Sequence, residues 1–202
     1  MIGKAVIIFQ KNFVLGKVKT RIAKDIGDEE ALRLYKWLVE KTLENCADIE
    51  FEKFIYFSDK TENVPSEYES KVQIGNDLGE RMRNAFSEVF NYGYDQVVII
   101  GTDCPSLNNE IIDEAFLALE EHDYVIGPSE DGGYYLLGMK KFSSLPFDGM
   151  TWSHMDVFSE TLKRIGVDSV KQLRELNDID DKEDLLKSGL GFMVNEVLIL
   201  TI

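Results

Sequence analysis

The 202-residue sequence predicts an α/β protein, with three α/β/α layers around a mostly parallel, mixed sheet. Three observations predict it. Short apolar runs rich in β-branched residues alternate with amphipathic helical patterns. These strand runs are apolar almost throughout, as expected of strands buried on both faces. No internal repeat, low-complexity tract or linker interrupts the pattern, so residues 1–202 read as a single domain.

KAVIIF (4–9) is a buried strand, and a basic loop follows it. From Asp28, a candidate N-cap, Ala31, Leu34, Tyr35, Leu38, Val39, Thr42, Leu43 and Cys46 recur at helical spacing. Trp37 falls on the polar side of that helix, as a candidate contact surface. FIYFS (54–58) is a second strand, 59–70 a polar loop with a proline, and KVQIG (71–75) a third strand. Residues 77–93 are helical, with Gly93 as the stop. QVVIIG (96–101) is the clearest strand. Ile111 to Leu119 mark a helix capped by Asn108 or Asn109. Strands are expected at 123–127 and 134–139, and helices at 155–164 and 181–189. SVKQLREL (169–176) fits strand or helix, and 192–202 fits a strand or a packed tail.

The formal charge of −15 argues against nucleic acid or an anionic membrane as partner. No apolar run has the length to span a bilayer, and KAVIIF is too short for a signal-peptide core, so a cytoplasmic location is expected. Two cysteines, Cys46 and Cys104, make neither a disulfide framework nor a metal knuckle. Cys46 reads as core. The Cys104 thiolate is disfavoured by the neighbouring charge of Asp103.

The charge is unevenly spread. The first 24 residues hold six Lys or Arg and no acid, whereas the remainder holds sixteen bases against thirty-seven acids. Lys11, Lys17, Lys19, Arg21 and Lys24 follow the first strand, and Gly16 among them permits close backbone approach. In an α/β sheet, ligands bind beyond the carboxyl ends of strands, so this loop is a candidate polyphosphate site. It has neither Walker nor dinucleotide glycine spacing. A solvated surface loop is the alternative.

Acidic features complement it. Asp103 lies just past the clearest strand and is a candidate Mg²⁺ ligand, the alternative being a turn cap. In NDIDDKEDL, Asp178 and Asp180 share a face if the segment is extended; capping of the next helix by Asp180 or Asp181 can coexist. PSEDGGYYLLG sets Asp131 before Gly132, Gly133 and Tyr134, either as a hairpin turn or as a contact to an acceptor or sugar hydroxyl. His154 reads as a lone surface histidine, and His122 as a helix-end residue.

Taken in order, F-x-K…G-K-V-K-T-R, Q-x-G-x-D-L-G-E-R-M, G-T-D-C-P, E-D-G-G-Y-Y-L-L-G, W-S and D-I-D-x-x-E-D-L resemble a bacterial family of small nucleotide-diphospho-sugar transferases, over residues 4 to 186. The resemblance implies the GT-A fold, with guanylyltransferases as functionally defined relatives. It implies that Lys11, Gly16, Lys19 and Arg21 line the phosphate site, with Lys19 sharing the catalytic charge. It implies a Mg²⁺ or Mn²⁺ site at Asp103, Asp178 and Asp180. Gln73, Gly75, Leu78 and Gly79 would border the nucleoside, and Asp131, Gly132, Gly133 and Tyr134 the acceptor or sugar. After W-S the family has Thr, where this chain has His154.

Three functions are consistent with these residues. The first is glycosyl transfer from a nucleotide-sugar to a small-molecule acceptor, with the metal at Asp103 and Asp131 as base. The second is nucleotidyl transfer from a nucleoside triphosphate to an anionic acceptor, which needs no protein base. The third is nucleotide binding without catalysis.

Overall fold

In the computed structural model, residues 3–47, 50–152 and 154–190 are described. The expectation for 192–202 lies outside them. The strands are β1 (Lys4–Gln10), β2 (Glu52–Phe57), β3 (Tyr68–Val72), β4 (Gln96–Ile100), β5 (Tyr124–Pro128), β6 (Tyr134–Met139) and β7 (Val170–Gln172). The helices are α1 (Thr20–Ile26), α2 (Asp28–Ala47), α3 (Leu78–Asn91), α4 (Asn109–Glu121), α5 (Val157–Ile165) and α6 (Lys182–Lys187).

All seven strands join one sheet in the order β3-β2-β1-β4-β6-β5-β7. β6 runs antiparallel to β4 and β5, and every other pair is parallel. The mostly parallel, mixed sheet expected from the sequence is therefore present.

Side-chain alternation along the strands builds two cores. Val6, Ile8, Ile55, Phe57, Val98 and Ile100 face α4 through Ile111, Ile112, Ala115 and Phe116. Ala5, Ile7, Phe54, Tyr56, Val97 and Ile99 face α3 through Met82, Ala85, Phe86 and Val89. Helices thus cover both faces of the sheet.

The chain runs β1, β2, β3 outward along the sheet, then returns to place β4 on the other side of β1. The carboxyl ends of β1 and β4 are therefore adjacent at a point where the direction of winding reverses. Such switch points open a crevice in α/β sheets.

Local chemistry explains the helix ends. Asp77 caps α3 by accepting the Glu80 N–H, and Asn108 caps α4 by accepting the Ile111 N–H. Gly93, with φ 95°, closes α3 as its spacing predicts.

Several expectations need correction. The basic loop after β1 contains a helix, α1, because Ile22 and Ile26 bury one turn apart. Seven residues are too few to display that periodicity among so many charges. α2 begins at Asp28 itself, so Asp28 is a first-turn acid and not the cap. β3 lies at 68–72, not 71–75: Tyr68 pairs with Lys53 and buries, while Gln73 onward turns toward α3. The ambiguous 169–176 stretch supplies the edge strand β7 after a 3₁₀ turn. Trp37 is half-buried against the Ile22, Leu34, Leu38, Ile179 and Leu185 cluster, and so is not on an open polar face. Among the described residues no helix is long and apolar enough to cross a membrane.

Candidate active site

A cleft of about 650 Å³ opens at the switch point. The ends of β1 (Phe9, Gln10) and β4 (Ile99, Ile100) form its floor. One wall is polar and brings together Lys11, Arg21, Asp103, Asp131, Asp178 and Asp180. The other is largely apolar, with Leu78, Met82, Tyr134, Trp152, Met155 and Val157.

Lys19 lies beneath the acidic wall. Its Nζ sits 2.7 Å from Asp103 Oδ1 and 3.0 Å from Asp180 Oδ1, and donates to the Ile179 carbonyl at 2.5 Å. Burial alone would lower this ammonium's pKa, but Asp103 and Asp180 outweigh burial and hold it above its usual value. Lys19 is also the one described non-glycine residue with positive φ, at φ 46° and ψ 42°. A left-handed non-glycine residue costs roughly 1–2 kcal/mol, so the surrounding contacts must hold it there.

The segment 177–181 alternates as a strand would. Asp178 and Asp180 face the cleft, while Ile179 is fully buried among Ile22, Ile26 and Leu185. The Ile179 N–H donates to the Asp103 carbonyl, which ties this segment to the β4 loop. Asp181, not Asp180, caps α6 and completes a capping box with Asp184. Those backbone N–H bonds, first the one from Asp184, hold the Asp181 carboxyl below its usual pKa, and Arg21 at 2.8 Å adds to this.

Asp178 behaves differently. Burial first, then the charges of Asp103 and Asp131, push its carboxyl up to about 7, with Lys19 opposing. Beside it the Cys104 thiol is pushed up to about 12, chiefly by burial and next by Asp178. The expected suppression of Cys104 is therefore present, but its causes are burial and Asp178, not Asp103.

Asp131 is fixed by its own loop: Oδ1 accepts from Ser129 Oγ at 2.6 Å and from the Gly133 N–H at 2.8 Å. Gly132, at φ 86°, lies where a Cβ would run into the Met155 carbonyl. Both tyrosines reach the cleft, but Tyr134 packs with the α3-side core and Tyr135 with the α4-side core, where its hydroxyl donates to the Arg174 carbonyl, so the two leave β6 on opposite faces. His154 also lines the cleft, half-buried, and its Nδ1 accepts the Asp156 N–H at 3.2 Å. It is thus part of the cleft wall and not a lone surface histidine.

The other sequence candidates are engaged in contacts within the fold. Gln73 lines the cleft, but its amide donates to the Tyr56 carbonyl at 2.8 Å, holding the ends of β2 and β3. Gly16 lies against the Asp28 carboxylate, and Gly75 against the first turn of α3. A Cβ on Gly79 would run into the Trp152 indole, so this glycine seats the aromatic wall. Gly79→Ala is expected to displace Trp152 and shift its fluorescence to longer wavelength, read in a Trp37→Phe background. An unshifted spectrum would show that the indole is seated by other contacts.

Two residues were not anticipated. The Tyr35 hydroxyl accepts the Lys11 N–H at 2.8 Å and lies 3.2 Å from Thr102 Oγ1, joining the β1 and β4 loops. Burial pushes it up to about 12. Asn12 is buried and gathers the 58–62 loop through Lys60 O, Glu62 Oε1 and the Asp59 N–H. Tyr35 occupies a core position of α2, and Asn12 is a single amide in a loop, so neither carries a sequence signal.

The donor set suits a hard divalent cation. Asp103 and Asp180 each turn one carboxylate oxygen to Lys19, and both side chains remain partly exposed, at 37% and 42%. No group of three or more His, Cys, Asp or Glu among the described residues forms a ready-made cage. The arrangement therefore fits an ion that takes one or two carboxylates and completes its shell with phosphate oxygens and water, as Mg²⁺ does.

The family model described as "Uncharacterized protein conserved in bacteria (DUF2064)" matches residues 46–154. No curated protein matches the sequence. Among solved structures, a "putative nucleotide-diphospho-sugar transferase" from Desulfovibrio desulfuricans G20 is 34% identical, with a TM-score of 0.85 over 92% of this chain and 85% of that one. The 4-diphosphocytidyl-2C-methyl-D-erythritol synthase of Anaerococcus prevotii is 11% identical, with a TM-score of 0.62 over 95% and 96%. Rv0371c of Mycobacterium tuberculosis, solved with manganese, is 14% identical, with a TM-score of 0.54 over 93% and 97%. The fold is that of the nucleotide-diphospho-sugar transferases.

Proposed function

The chain belongs to the bacterial DUF2064 family, and from that premise we propose that it transfers a sugar from a nucleotide-diphospho-sugar to an acceptor hydroxyl. The observation that carries this reading is the placing of two kinds of carboxylate in one cleft. Asp103 and Asp180 are paired through Lys19, whereas Asp131 is fixed separately on the β5–β6 loop.

Asp103 and Asp180 would hold Mg²⁺ or Mn²⁺, which when bound offsets the charge of the departing nucleoside diphosphate. Lys11 and Arg21, which also line the cleft, add positive charge toward the same phosphates. The Leu78, Met82 and Trp152 wall offers an apolar surface to a base or sugar ring. Asp131, with Oδ1 held by two donors, keeps its other oxygen for the acceptor hydroxyl. It would remove that proton as the acceptor oxygen bonds the anomeric carbon and the diphosphate leaves.

One observation favours a second reading, nucleotidyl transfer: the Anaerococcus neighbour is named for a diphosphocytidyl product. In that reaction the acceptor is already an anion, and Asp131 has no proton to take.

The test is a panel of nucleotide-sugars and nucleoside triphosphates with Mg²⁺, followed by thermal stabilisation and product analysis. A ligand at about 100 times its Kd adds about 2.7 kcal/mol. Nucleotide-sugars are expected to stabilise the protein and to yield a nucleoside diphosphate with an acceptor. Asp131→Asn is expected to lose about 10²–10⁴-fold in turnover while keeping donor stabilisation. Pyrophosphate release from a triphosphate, undiminished in Asp131→Asn, would establish the second reading instead. No stabilisation by any nucleotide would end both.

A further inference from the structure

We propose that Lys19 is a positioning residue: its buried ammonium holds the Asp103 and Asp180 carboxylates from beneath and sets their hold on a divalent cation, without touching the donor's phosphates. This rests on the reading that those two carboxylates take the ion.

Three oxygens already surround the ammonium: it donates to Asp180 Oδ1 and to the Ile179 carbonyl, and it stands in an ion pair with Asp103 Oδ1 at 2.7 Å. A phosphate could bind it only by displacing one of them. Its depth agrees. The Lys19 side chain is 4% exposed, against 37% for Asp103 and 42% for Asp180. The cation therefore lies under the carboxylates and away from the cleft mouth.

The exposure within Asp103 is divided. Oδ1, the oxygen facing Lys19, is buried. The exposure of that side chain is carried by its other atoms, and its second oxygen is the one left for a ligand. Lys19 thus occupies one edge of each carboxylate and leaves the other.

The backbone is arranged to keep it there. Lys19 adopts its left-handed conformation immediately before α1. The same two chain segments are joined again by Arg21 to Asp181 at 2.8 Å, and by Ile22 and Ile26 packing on Ile179. Without the ammonium, Asp103 and Asp180 would repel each other, with Asp178 adding to that field. The phosphates are left to Lys11 and Arg21, which line the cleft where Lys19 does not.

Mn²⁺ alone is the probe, titrated into the full chain without nucleotide and followed by the EPR signal of the free ion. Lys19→Met is expected to weaken Mn²⁺ binding by about 10–100-fold, the usual cost of losing a residue that orients a metal ligand, and Lys19→Arg to recover part of it. Unchanged or tighter Mn²⁺ binding in Lys19→Met overturns the inference. No Mn²⁺ binding by the wild type would end the metal reading itself, and this inference with it. A second measurement needs no variant to fold: nitrogen-15 NMR of the wild-type Lys19 Nζ. Its resonance is expected to move with Mg²⁺ and to stay in place with UDP in EDTA. Movement with UDP and none with Mg²⁺ would make Lys19 a phosphate ligand and overturn the proposal.

Discussion

Asp103→Asn is expected to cut turnover about a thousandfold and to leave the fold standing. The substitution keeps the shape of the side chain and removes one negative charge beside the proposed cation. Against a single unit of positive charge at about 4 Å, such a charge contributes about 4 kcal/mol at the effective dielectric of a partly shielded site, the lower end for a divalent ion. That is about three powers of ten in rate. Folding depends on Asp103 much less. Lys19 keeps Asp180 and the Ile179 carbonyl, and the Ile179 N–H bonds the Asp103 backbone carbonyl, which Asn retains. The expected loss of stability is therefore one partner of a doubly paired ammonium, about 1–2 kcal/mol, or a few degrees of Tm for a chain of this size. The check is a rate measurement with saturating Mn²⁺ beside a circular dichroism melt. A variant keeping more than about a tenth of the wild-type rate would remove Asp103 from the chemistry. A variant that loses its cooperative melt would make the residue structural.

How much of this was legible in the sequence depends on the range of the interaction. β1 and β4 are readable because apolar runs buried on both faces need no partner to be recognised: four consecutive residues of β1 and all five of β4 are buried. The gathering of Lys11, Asp103 and Asp131 at one edge also follows from the strand order, since loops after parallel strands share a side, whereas Asp178 and Asp180 follow β7, a stretch whose pattern fits strand or helix. α1 was hidden because Ile22 and Ile26 are its only buried residues, in a stretch whose charge suggests a solvated loop. The state of Lys19 was hidden for a different reason. A lysine in a basic run reads as exposed, and its burial follows from partners about 80 and 160 residues away. Tyr35 belongs with it: its place on α2 announces a core residue, and only the folded chain brings Lys11 and Thr102 to its hydroxyl. Pattern reports faces and strand ends; long-range polar pairing has no pattern to report it.

Asp178→Asn is expected to stabilise the protein above neutral pH and to flatten its pH profile. In the unfolded chain this carboxyl titrates near 3.8, and in the fold it is pushed up to about 7. Between those values the folded state holds a proton that the unfolded state has released. Stability due to this group is therefore greatest below about pH 4, falls as pH rises through the window, and levels off above about pH 7. One whole proton changes stability by about 1.4 kcal/mol per pH unit, so the full window is worth up to about 4 kcal/mol. The cause is physical crowding of like charge in a half-buried place: burial acts first, then Asp103, Asp131 and Asp180, with Lys19 relieving part of it. Asn carries no charge to desolvate, so the variant's denaturation midpoint should hold steady from about pH 5 to pH 8 while the wild type's declines. Mg²⁺ supplies the matching control. A divalent ion held by Asp103 and Asp180 also favours the ionised Asp178 carboxyl, so near pH 8 it should stabilise the wild type by more than it stabilises Asp178→Asn, where the ion still binds but relieves no charge at 178. A wild-type profile that rises between pH 5 and pH 7, or a variant that tracks the wild type throughout, would mean that Asp178 is already ionised and compensated in the fold.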